Sequence, residues 1–147
     1  MDGRTAEHAA VLVDWSARVE AGDDVVLDVA PGAHDLAVAV AEKLGERGAN
    51  SVVTYAAGEI ERAYLRAHDG DFDTDPAHER ALYENADVVL SLGGGRNTSA
   101  MADVPGRTRS AHATAREGVR EARMNTDWIS TVHPTRSLAQ QASMSYA

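Results

Sequence analysis

The chain has no cysteine, one lysine and one phenylalanine among its 147 residues. Without cysteine it can have no disulfide framework, no thiolate zinc site and no cysteine nucleophile. Lys43 is the single lysine and no Gly-Lys-Ser/Thr triplet surrounds it, so a phosphate-binding P-loop is excluded. Long apolar runs are also missing: nothing approaches the roughly 20 residues that span a bilayer. The opening residues Met1-Asp2-Gly3-Arg4-Thr5-Ala6-Glu7 lack the apolar core of a signal peptide. These absences predict a cytoplasmic protein with no membrane partner.

What is there is acid. The net charge is −9, and arginine supplies all but one of the 14 basic residues. A surplus of this sign disfavours phosphate-rich partners, so no nucleic-acid binding is expected. Acid-rich, lysine-poor surfaces keep proteins soluble at high salt, where charge repulsion is screened within a few ångströms. The composition therefore suggests a salt-adapted, halophilic origin. A GC-rich genome, which also favours arginine over lysine, is the ordinary alternative.

The length suits one domain able to bury a core without a staple. Residues 4–20 carry Ala9, Leu12, Val13 and Val19 at helical spacing, with Gly22 ending the helix. Val25–Val29 reads as a strand and residues 34–47 as a second helix. Ser51–Tyr55 is the next strand, followed by a short helix over Glu59–Arg66 and an acidic loop from His68 to Asp75. Pro76 suits the first turn of a helix to about Glu84. Val88–Leu92 is a third strand ending at Gly93-Gly94-Gly95, residues 107–123 form one arginine-rich helix, and Trp128–Val132 is a fourth strand. Ser137 and Gln140 make a capping box that would open a further helix.

Four strands separated by helices predict an α/β fold: a small parallel sheet with helices on both faces, Rossmann-like or flavodoxin-like in its layers. The order 2-1-3-4 is expected. It places a crevice between strands 1 and 3, at loops 30–34 and 93–98.

No complete catalytic constellation is legible. Gly93-Gly94-Gly95-Arg96-Asn97-Thr98 follows a strand, but Thr98 stands where a dinucleotide fingerprint needs Gly or Ala. Asp69-Gly70-Asp71-Phe72-Asp73-Thr74-Asp75 fails the calcium-loop pattern in either register. Its sixth and twelfth positions are Thr74 and Arg80, or Pro76 and Leu82. None of the six histidines makes an H-E-x-x-H pair, and there is no nucleophile elbow. Arg107, Arg109, Arg116, Arg120 and Arg123 give one basic helix with Glu117 and Glu121 among them. No aromatic residue interleaves there for stacking on bases. No catalytic, cofactor-binding or metal-ligating residue is therefore assigned within the chain. Arg96, Asn97, Thr98, His133 and Thr135 are its candidate cavity-facing residues.

The run Thr126-Asp127-Trp128-Ile129-Ser130-Thr131-Val132-His133-Pro134-Thr135-Arg136-Ser137-Leu138-Ala139-Gln140-Gln141-Ala142-Ser143-Met144-Ser145 resembles a segment of the thermophilic metalloaminopeptidases of the aminopeptidase T and aminopeptidase S type. Leu12-Val13-Asp14-Trp15-Ser16, Gly22-Asp23-Asp24-Val25-Val26-Leu27, Arg47-Gly48-Ala49-Asn50 and Asn97-Thr98 fit the same family. The resemblance implies a two-domain exopeptidase that removes N-terminal residues from peptide substrates. It implies a homodimer, and two divalent metal ions held by Glu, His and Asp of a later, C-terminal domain. On that reading residues 1–147 are the N-terminal domain, the C-terminal metal-binding domain is absent, and the fragment alone is inactive. The alternatives are a stand-alone small-ligand or nucleotide-binding domain, or a non-enzymatic interaction domain working through helix 107–123. The salt-adapted reading has its own check: a refolding curve against KCl should show stability rising with salt, and full stability without salt would sink it.

Overall fold

The computed structural model describes residues 3–93 and 103–132. Helix α1 (Gly3–Ala10) leads through a π-helical stretch, Val11–Ser16, to β1 (Asp24–Val29). Helix α2 (His34–Arg47) precedes β2 (Asn50–Tyr55); α3 (Gly58–Ala67) and α4 (Ala77–Glu84) precede β3 (Val88–Gly93). Helices α5 (Gly106–Ala115) and α6 (Glu117–Met124) then lead to β4 (Asp127–Val132). The four strands form one parallel sheet, as the alternation of strand-like and helix-like segments predicts, in the expected order β2-β1-β3-β4. Among the described residues no helix is long and apolar enough to cross a membrane.

Alternation along the strands divides two unequal cores. Val25, Leu27 and Val29 of β1, with Val88, Leu90 and Leu92 of β3, face α1 and α2 and join Leu12, Val13, Leu36, Val40 and Leu44. The opposite face gathers Val26, Val89, Tyr83 of α4 and Val119 of α6. Among the described residues, sixteen buried side chains make the first core and four the second, so on these residues apolar burial contributes more to the first layer than to the second. The second layer needs other bonds.

Three expectations change in detail. The first helix does not run to residue 20. It widens at Val11, where the Ala17 N–H reaches back five residues to the Leu12 carbonyl at 2.8 Å, and the chain then turns through a left-handed Arg18 (φ 49°). Pro76 takes the cap position before α4 rather than its first turn (φ −49°, ψ 125°). The arginine-rich helix is two helices broken at Arg116 (φ −105°, ψ 12°).

The break has a cause outside the helix. Asp75, itself left-handed (φ 48°), donates its N–H to the Ala115 carbonyl at 2.6 Å. Its carboxylate Oδ1 accepts the Gly118 N–H at 2.8 Å. A residue from a distant loop thus meets the end of α5 with its backbone N–H and caps α6 with its side chain, satisfying a donor that a helix N-terminus leaves open. Gly118 makes room for it, because a Cβ there would stand 2.6 Å from the Asp75 Cγ. The two glycines make opposite predictions. Gly45→Ala, in the last turn of α2 with nothing within 4 Å of the new Cβ, should stabilise by up to about 0.5–1 kcal/mol. Gly118→Ala carries the same propensity gain but should destabilise by about 1–3 kcal/mol through overpacking. Urea unfolding of both variants measures the difference, and equal signs would contradict the packing at Asp75.

Candidate functional site

Connections switch face between β1 and β3: α2, after β1, lies over the first core, whereas α4 and α6 cover the second. In such sheets the crevice opens beyond the carboxyl ends of the strands at the switch. The turn after β1 is pinned there. The Ala30 N–H donates to the Leu92 carbonyl at 2.9 Å, and the Ala56 N–H to the Val29 carbonyl at 3.1 Å. The candidate cavity-facing residues Arg96, Asn97, Thr98, His133 and Thr135 lie outside the described residues.

Just below the crevice, a polar row crosses the second face. The strand register sets Asp28 beside Thr54 on one side and Ser91 on the other, with Ser130 beyond Ser91. Each strand therefore carries one short polar residue at the same height. Asp28 is the hub. Its Oδ1 accepts the Thr54 hydroxyl at 2.5 Å. The Tyr83 hydroxyl lies 3.1 Å from Oδ2 and 3.2 Å from Oδ1. Arg123 Nη2 lies 3.4 Å from Oδ2 and also donates to the Ser91 hydroxyl. The Asp28 side chain is only 16% exposed, so these partners replace water around the charge.

Arg123 lies between two rings, its guanidinium carbon 5.8 Å from the centroids of both Tyr83 and Trp128. Its Nε is buried and meets no acceptor among the described residues. Burial, and then the neighbouring Asp28 charge, push the Tyr83 phenol up to about 12. Tyr83 is therefore a donor at any physiological pH, never a base. Asp28 is taken up by Thr54, Tyr83 and Arg123, so the row presents no nucleophile paired with a free base. It is built to lock α4 and α6 onto the sheet.

The remaining sequence candidates disperse. The acidic loop does not converge on a point: Asp69 Oδ1 accepts the Asp71 N–H at 2.9 Å, while Asp75 turns away to Gly118. Two of the five helix arginines are committed internally, Arg116 to Glu79 through a two-pronged pair (Nε to Oε1 at 3.0 Å) and Arg123 to the row. The row itself is not evident from the sequence taken segment by segment. Its signal is a short polar residue near the end of each strand-like run, Asp28, Thr54, Ser91 and Ser130, with Thr131 beside the last.

Comparison with known proteins places the chain. The model of the thermophilic metalloprotease (M29) family matches residues 1–147. No curated protein matches the chain significantly. Among solved structures, wild-type AmpT from Thermus thermophilus has a similar fold, with a TM-score of 0.71 and 24% identity. The match covers 90% of this chain and 36% of that one, so the chain spans little more than a third of the AmpT chain. With the family model matched from the first residue to the last, the chain belongs to the thermophilic metalloprotease (M29) family.

Proposed function

We propose that residues 1–147 are the N-terminal domain of a metal-dependent aminopeptidase that removes N-terminal residues from peptides. In it they wall the substrate cavity and support a homodimer, while a later domain holds two divalent ions. The observation that carries this reading is the pairing of a whole-length metalloprotease match with a span of only 36% of the AmpT chain. In two-metal hydrolases the ions activate a water and polarise the scissile carbonyl. The described residues do not fit that role, since no three of their His, Asp and Glu side chains are grouped to hold a metal ion. We therefore derive no catalytic step from this domain and assign it the work of shaping and enclosing.

Exposed apolar surface supports a contact with further protein. Val52, Val53 and Tyr55 on the edge strand β2 are each more than half exposed, and residues 50–55 carry no charge. Native edge strands left in water are usually blunted by charge, proline or a bulge. Trp15, at the end of the π-helical stretch, is 74% exposed. Both surfaces suit burial against the remainder of a longer polypeptide or its dimer partner.

The test compares the full-length gene product with residues 1–147 on an amino-acid p-nitroanilide, with and without EDTA. The full-length protein should hydrolyse the substrate, lose activity to EDTA and regain it with a divalent cation. It should also sediment as a dimer. Residues 1–147 should stay at the blank rate. Metal-dependent turnover by residues 1–147 alone would overturn the division of labour, and a full-length protein without EDTA-sensitive activity would overturn the enzymatic reading.

A further inference from the structure

Four rings pack together on the outer side of the second layer. His68, which ends α3, stacks on Phe72 at 3.9 Å between centroids and 13° between planes. His112 of α5 meets the Phe72 ring at 5.0 Å. Tyr64 of α3 touches all three, at 5.5 Å from His68, 6.5 Å from Phe72 and 6.1 Å from His112. The cluster ties the loop after α3 to both helices.

The loop has two anchors. At its start, His68 Nδ1 accepts the Gly70 N–H at 3.0 Å, with Gly70 in a left-handed turn (φ 92°). A nitrogen that accepts this bond carries no proton. At its end, Asp75 accepts the Gly118 N–H and caps α6, the helix that delivers Arg123 to Asp28.

We propose that His68 and His112 form a proton-operated latch on residues 68–75. With both rings neutral, the loop is closed on α3 and α5. Protonation releases it and, through Asp75, loosens the first turn of α6.

The chemistry at His68 is an exchange of partners. A protonated Nδ1 can only donate, so the Gly70 N–H loses its acceptor. Asp69 Oδ1, 3.3 Å from Nδ1, takes the new proton's hydrogen bond. That oxygen now accepts the Asp71 N–H, so the ion pair also competes with the second bond of the turn. At His112 the side chain is 17% exposed. Burial first, and then the Arg116 charge and His68, hold its imidazole below the usual histidine value, while Glu61 at 4.0 Å and Glu79 pull the other way. Glu79 is already engaged with Arg116, which limits what it can offer a second cation. Because the folded form of His112 binds its proton less readily than the unfolded one, its contribution to stability is complete above the ordinary value of 6.5 and is lost as pH falls through the lowered folded value.

Hydrogen exchange with mass spectrometry on the full-length protein tests the latch, with labelling times scaled for the intrinsic pH dependence of exchange. Between about pH 7.5 and pH 5.5, peptides covering 68–76 and 115–120 should gain exchange by about fivefold or more relative to peptides from β1 and β3. In His68→Asn/His112→Asn, an asparagine Oδ1 can still accept the Gly70 N–H but cannot titrate, and the relative gain should disappear. A wild-type ratio that stays within about twofold over this range overturns the proposal without any variant. So does a double variant that keeps the full wild-type response.

Discussion

A carboxylate on the central strand, where alternation calls for an aliphatic side chain, has to find its partners inside the protein. Asp28 finds them on every side: a hydroxyl from β2, a phenol from α4 and a guanidinium from α6. The apolar core beneath those helices numbers four buried residues among the described ones, and the polar row adds to what apolar burial there supplies. Hydrogen bonds to a charged, mostly buried group are each worth about 1.5–3 kcal/mol. A few such bonds rival the burial of one or two large aliphatic side chains, at about 1.5–3 kcal/mol each. The gain is directional, fixing where α4 and α6 sit as well as whether they stay.

From this lock the second layer extends outward. Asp75 caps α6 and ends α5, Glu79 engages Arg116 at the break, and the ring cluster closes the loop that brings Asp75 into place. Most of these contacts join segments distant in sequence, His112 of α5 among the rings included. The layer is therefore held by a chain of polar and aromatic contacts rather than by a broad apolar face, and changes of charge should act on it sooner than on the first layer. In this member of the thermophilic metalloprotease family, described apolar packing covers one face of the sheet and polar and aromatic contacts tie down much of the other.

Much of the fold is legible in the sequence because its signals are local. Each strand is a short β-branched run, α2 occupies the same 34–47 span that its apolar spacing predicts, and Gly48 ends it in a left-handed conformation. Four strands with intervening helices point to the parallel order. What escapes a sequence reading is non-local. Residues 107–123 look continuous because the cap that breaks them comes from Asp75, more than 40 residues earlier. The π-helical widening after Ala10 leads into a left-handed turn at Arg18 before β1, and no local pattern marks either. Asp28 and Ser91 look like incidental polar residues, and only strand register shows that they are neighbours. Of the candidate site, the crevice between β1 and β3 follows from topology alone, whereas its five named residues lie beyond the described ones.

The most direct test of the lock is a double-mutant cycle between Asp28 and Arg123, read by urea unfolding of Asp28→Asn, Arg123→Gln and the double variant. A coupling of about 1 kcal/mol or more is expected, because either change strands a partner that the other relieves. Single effects that simply add, within about 0.3–0.5 kcal/mol, would contradict the lock. The second layer would then be held by its small apolar core alone.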